Sequence, residues 1–133
     1  MSGLVLKLAP HERLLLNGAV IENGDRRCRL NIVTPNAHVL RLKDAMHPEH
    51  ATTPVARVCY VAQLILSGDA DPVDGPAQLM RGIEQLSQVF RDSDSRSLLA
   101  AATEAGRAGQ TFQALKALRA LLPRETRLMA KQA

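Results

Sequence analysis

Residues 4–44 read LVLKLAPHERLLLNGAVIENGDRRCRLNIVTPNAHVLRLKD, and this stretch decides the fold. Apolar and polar residues alternate with a period of two, which puts successive side chains on opposite faces of extended strands. Leu4, Leu6 and Leu8 share one face, against Val5 and Lys7 on the other. Pro10-His11-Glu12 turns the chain, Arg13 to Leu16 resumes it, and Asn17-Gly18 ends that strand. Ala19 to Glu22 is a short strand followed by Asn23-Gly24, a second pair that tolerates positive φ and signals a hairpin. Between Arg27 and Val33, Cys28, Leu30 and Ile32 point one way and Arg27, Arg29 and Asn31 the other. Thr34-Pro35-Asn36 turns the chain again, and His38 to Leu42 closes the set, with Leu40 and Leu42 opposite Val39 and Arg41. The expected product is an antiparallel meander of four or five short strands, greasy on one face and basic on the other.

Working outward, the period changes to that of helices after residue 51. Thr53 is an N-cap and Pro54 suits the first helical position. The helix 54–67 is apolar nearly all round, which predicts a central buried element. Residues 67–75 form an Asp-, Gly- and Pro-rich loop, and Pro76 opens a helix to about Arg91 with a stripe of Leu79, Ile83, Leu86 and Phe90. Asp92 to Ser95 is a capping break, and Leu98 to Ala105 is a short helix bounded by Gly106 and Gly109. Thr111 caps a last long helix with an apolar face of Phe112, Leu115, Leu118, Leu121 and Leu122. Pro123 ends or kinks it, and the basic tail from Arg124 is expected to fray. The predicted class is α+β: a small N-terminal antiparallel sheet of four to five short strands followed by about four helices. Two lobes result, a basic sheet over 1–45 and a helical lobe over 51–133 packed as one compact unit.

Charge is segregated along the 133 residues. Residues 1–45 carry seven basic groups and four acids, 46–106 four and eight, and 107–133 six and one, giving +3, −4 and +5 and the total of +4. A basic–acidic–basic layout suits a partner that is a polyanion, and it equally suits solvated faces that pair internally. Aromatics are limited to Tyr60, Phe90 and Phe112, which argues against a base-stacking platform. Cys28 and Cys59 lack CxxC spacing and read as reduced, part-buried thiols of a cytoplasmic protein. The longest apolar segment, Val58 to Leu66, is far short of the ~20 residues that span a bilayer.

Candidate chemistry is sparse. His47-Pro48-Glu49-His50 invites a metal, but the Pro favours a turn and no further ligand stands at zinc spacing. Asp69, Asp71 and Asp74 belong to a capping loop rather than a calcium loop. No nucleophile elbow, P-loop, Rossmann fingerprint or HExxH occurs, so the residues support neither an enzyme nor a cofactor. The basic sheet face is the best lead. Residues two apart on a strand are neighbours on one face, so Arg27 adjoins Arg29, Arg41 adjoins Lys43, and the turn at 34–36 can pair the two strands. Such guanidinium rows contact phosphates and guanine edges. The competing reading is a polar face with cross-strand pairs to Glu22 and Asp44. A second surface, the leucine stripe of the last helix, is either internal core or a docking face.

Three segments in order, LKLAPHERLLLNGAVIENGDRR (6–27), VLRLKDAMHPEHATTPVARVCYVAQ (39–63) and AGQTFQALKALRALLP (108–123), closely resemble the FlbT family of flagellin-synthesis regulators. The resemblance implies a bacterial post-transcriptional regulator that acts on the 5′ leader of flagellin mRNA, represses translation and promotes decay of the message. It also implies a FlaF-type regulator as protein partner. Residues 4–45 alone resemble the carbon-storage regulator CsrA, a dimer of interleaved strands that binds RNA through its first and last strands. That resemblance puts Leu4, Leu6 and Lys7 with Val39, Leu40 and Arg41 at an RNA edge. Two positions depart from it: His11 stands where a turn glycine is usual, and Leu42 where an acid is usual. The combined expectation is a non-enzymatic, cytoplasmic, homodimeric RNA-binding repressor that needs no metal or membrane. Lys7, Arg26, Arg27, Arg29, Arg41 and Lys43 form the RNA-binding set, and Arg41→Ala is expected to weaken RNA binding with the fold intact. The alternative is a protein-interaction module of flagellar assembly that acts through a partner such as FlaF without touching RNA.

Overall fold

The computed structural model describes residues 4–17, 19–35 and 37–131. The class is α+β, with short antiparallel strands followed by helices. The chain divides into two compact units, residues 1–45 and 46–133.

In the first unit the strands are β1 (Leu4–Leu8), β2 (Arg13–Leu16), β3 (Ala19–Glu22), β4 (Cys28–Ile32) and β5 (Val39–Arg41). They form no meander. β1 pairs with β4 in a two-stranded ribbon, and β2 lies between β3 and β5 in a separate sheet. The expected pairing of β4 with β5 is therefore replaced by β1–β4 and β2–β5. A period of two fixes which face a residue occupies but not which strand lies beside it, so sequential neighbours were only one of the available solutions. Leu6, Leu8, Leu14 and Val39 form the core between the two sheets, with Leu16, Ile21, Leu30 and Ile32 packed around it.

The two Asn-Gly pairs behave differently. Leu16 opposes Ala19, so β2 and β3 form a hairpin closed at Asn17, which takes the positive φ of 49° that such a turn demands. Asn17 also accepts the His38 N–H through Oδ1 and donates its own N–H to the His38 carbonyl. Gly18 and Asn36, to which the sequence assigns turns, lie outside the described residues. Asn23-Gly24 closes no hairpin, because β3 and β4 belong to different sheets. Asn23 instead buttresses the first turn: its side-chain amide donates to the carbonyls of Ala9 (2.8 Å) and Arg26 (2.9 Å), and its oxygen accepts the Cys28 thiol. His11, in that turn, has φ 61°, where an L residue is strained.

The second unit contains α1 (Pro54–Ser67), α2 (Asp74–Val89), α3 (Ser93–Arg107), α4 (Thr111–Arg119) and α5 (Leu122–Lys131). α1 is the central helix, packed on α2, α4 and α5, and α3 packs on α2 and α4. Three boundaries differ from expectation. Asp71 accepts the N–H groups of Val73 and Asp74, which starts α2 before Pro76. Asp92 caps Ser95, which starts α3 well before Leu98. Pro123 is the second residue of α5, where its missing N–H is harmless, so the tail through Lys131 is helical rather than frayed. Leu115, Leu118 and Leu121 are buried, so the stripe of the last helices is core and not a docking face. Glu125, the one acid of the basic C-terminal segment, is also buried. Its carboxylate accepts the Thr53 hydroxyl (2.5 Å) and the Val55 N–H (2.9 Å), capping α1 from α5.

Candidate nucleic-acid interface

The register of the β1–β4 ribbon determines the character of the first unit's surface. Leu4, Leu6 and Leu8 oppose Ile32, Leu30 and Cys28 on the inner face. The outer face then necessarily places Lys7 directly across from Arg29. Arg27 directly precedes β4, two residues from Arg29, and lines the same cleft as Lys7 and Arg29. Like charges directly opposed weaken a strand pair by roughly 0.2–1 kcal/mol. Among the described residues Lys7, Arg26, Arg27 and Arg29 form no ion pair, so no internal carboxylate offsets that repulsion.

Lys7, Arg27, Arg29, Arg41 and Lys43 line one cleft of about 440 Å³, walled also by Leu8, Ala9, Glu12 and Cys28. Five of the six cations read from the sequence thus converge. The sixth, Arg26, is exposed in the preceding loop and does not line the cleft.

Arg41 differs from the others because it opposes Leu14, whose side chain is fully buried. It therefore points toward the interior edge rather than the outer face. Its Nε donates to Glu12 Oε2 at 2.7 Å and its Nη2 to Oε1 at 2.8 Å, a bidentate pair. Nη2 also donates to the Lys7 carbonyl at 2.5 Å. Glu12 accepts the Ala9 N–H as well, at 2.9 Å, and Lys43 Nζ lies 3.9 Å from the same carboxylate. The Arg41 hydrogen bonds outweigh burial and hold the Glu12 carboxyl down to about 2, from an ordinary 4.5. Arg41 is thus a strut joining β5, the first turn and β1. Its charge is largely balanced by Glu12, leaving Lys7, Arg27, Arg29 and Lys43 as the cations facing outward. Of the two carboxylates expected to pair in the sheet, Glu22 is held by Arg13 at 2.7 Å, away from the cleft residues, and the Asp44 side chain lies outside what the structure describes.

Sequence reasoning missed Glu12 because it sits in a turn rather than opposite Arg41 on a strand. The only available signal was its place as the acid nearest the first turn. Within the single chain β1 and β5 lie in different sheets, and the side chains of Leu6, Val39 and Leu40 are buried.

His47 and His50 have ring centroids 6.0 Å apart, and His47 Nδ1 accepts the Glu49 N–H to cap a one-turn helix. No group of three or more His, Cys, Asp and Glu side chains gathers to hold a metal among the described residues.

Residues 4–129 match the family described as Flagellar protein FlbT. A probable flagellum biosynthesis repressor protein FlbT from Caulobacter sp. (strain K31) is 35% identical over 91 residues, which is 68% of this chain and 69% of its own. The protein of the same description from Brucella abortus (strain S19) is 31% identical over 127 residues, 96% of this chain and 82% of its own. That from Brucella ovis is also 31% identical over 127 residues. No solved structure matches. With the family match running across both units, the chain belongs to the FlbT family.

Proposed function

We propose that this chain is a non-enzymatic regulator of flagellar gene expression that acts after transcription, contacting the 5′ leader of flagellin mRNA to repress translation and promote decay. The relatives' description as flagellum biosynthesis repressors supports the regulatory part. One observation carries the RNA part: five cations converge on a single cleft, and Lys7, Arg27 and Arg29 have no carboxylate partner among the described residues. Unpaired guanidinium and ammonium groups in a concave site attract phosphates, and phosphate contacts supply most of the affinity for RNA. This reading keeps the protein in the cytoplasm with its message; no helix among the described residues is long and apolar enough to cross a membrane. The test is fluorescence anisotropy of the purified chain with its flagellin leader RNA and with a shuffled RNA at physiological salt. Tight binding is expected for the leader, and loss of affinity in a Lys7→Ala/Arg27→Ala/Arg29→Ala variant with unchanged circular dichroism. Negligible binding to both RNAs sinks the reading.

A second reading rests on the helical unit. A cleft of about 310 Å³ lies at the α1–α2 crossing, floored by Val58, Val61 and Gly82 and rimmed by Arg57 and Arg81. Both arginines are exposed and form no ion pair among the described residues. In that case an acidic segment of a protein partner such as a FlaF-type regulator docks there. Arg57→Glu/Arg81→Glu then abolishes co-purification with that partner while RNA affinity is kept.

A further inference from the structure

We propose that the outer face of the β1–β4 ribbon is a two-part reader, in which Lys7, Arg27 and Arg29 hold phosphates and the adjoining Val5–Asn31 pair holds one unstacked base. Asn31 is then the specificity-determining residue. This inference rests on the RNA reading above and adds to it the base contact that phosphates cannot supply.

The register provides the argument. Val5 opposes Asn31 directly, one step along the same outer face from the Lys7–Arg29 pair. The face therefore changes within one cross-strand step from cationic to a neutral apolar-plus-amide pair. Val5 is 52% exposed, and a β-branched side chain so placed is a platform against which a base can lie in a chain with few aromatics. Asn31 is exposed and its carboxamide has no hydrogen-bond partner among the described residues, so it is available to a ligand. A carboxamide offers one acceptor beside two donors, which matches a base edge with an amino group beside a ring nitrogen. Adenine presents that arrangement on both its Watson–Crick and Hoogsteen edges, so adenine is the expected base. Arg27, just before β4, and Arg29 line the same cleft, and two residues of extended chain span at most roughly 7 Å, comparable to the separation of successive phosphates along one strand. An extended single strand thus lies along β4 with its backbone on the cations and one base turned onto Val5.

The test uses the full chain, its flagellin leader RNA and an adenine-free RNA of equal length, with affinities measured by anisotropy across a salt series. Asn31→Ala is expected to weaken leader binding about tenfold, as loss of a bidentate base contact does, with the affinity for the adenine-free RNA and the salt slope unchanged. Asn31→Thr, which suits a strand but lacks the carboxamide, should behave alike and guards against misfolding. Arg29→Ala should weaken both RNAs and reduce the salt slope. Wild-type binding by both Asn31 variants overturns the inference and leaves the RNA reading standing, as does equal wild-type affinity for leader and adenine-free RNA. Failure of the wild type to bind either RNA removes both.

Discussion

At the scale of single residues, the Glu12–Arg41 pair is the strongest determinant in the sheet unit. The expectation that Arg41→Ala spares the fold does not survive the geometry, because the substitution leaves a nearly buried carboxylate without its bidentate partner. Stranding a charge in this way costs about 3 kcal/mol. Urea denaturation of Arg41→Ala should show that loss, and Glu12→Gln should show a smaller one. Acid has the same target. The folded carboxyl titrates at about 2 against an ordinary 4.5. Its contribution is therefore complete above pH 4.5 and is lost as the pH falls from there toward 2, where the unfolded chain takes up a proton first. A pH series of urea midpoints checks this; a wild-type midpoint flat from pH 5 to 2.5 contradicts it, and Glu12→Gln should flatten the profile. His11 tells the opposite story. At φ 61° it is strained, and His11→Asn, which tolerates that region, should raise stability by about 0.5–1 kcal/mol.

At the scale of elements, the period-two and helical patterns identified every strand and the centre of α1, because those signals are local. Pairing was not legible. The hairpin at Asn17 followed from two adjacent residues, whereas the β1–β4 ribbon needs contacts across 20 to 28 positions that no local pattern encodes. Helix starts were misjudged for a related reason. Pro76 and Leu98 drew attention as starts, while Asp71 and Asp92 did the capping from upstream. The C-terminal helix was hidden because Pro123 reads as a breaker unless a new helix begins there. The value of α5 lies in Glu125, and Glu125→Ala should cost about 1–2 kcal/mol by uncapping α1. Thermal melts followed by far-ultraviolet circular dichroism measure it. At the α1–α2 crossing, a Cβ on Gly82 would meet Val58 Cγ2 at 2.8 Å. Gly82→Leu should therefore lose stability by about 2 kcal/mol despite leucine's better helix propensity.

At the scale of the whole molecule, the charge layout was the legible part of the site: its cations were read from alternation and local density alone. Which of them is neutralised depends on tertiary placement: the sequence singles out Arg41 as an RNA contact, and the fold sets Glu12 against it. If four outward cations engage single-stranded RNA, log affinity should fall against log salt with a slope of about −3. A slope near zero in an anisotropy titration with leader RNA would mean that the cleft is not the contact surface.

The chain holds two cysteines, and they fall one to each unit: Cys28 in the sheet unit, at the cleft wall, and Cys59 in the middle of α1. Burial pushes the Cys59 thiol up to about 12, which silences it toward alkylating reagents while the helices stay closed. The Cys28 thiol is half-covered and donates to Asn23. The molecule thereby carries its own pair of chemical clocks, one for each half. Timed labelling followed by mass spectrometry would date the opening of each half separately, with no foreign probe attached.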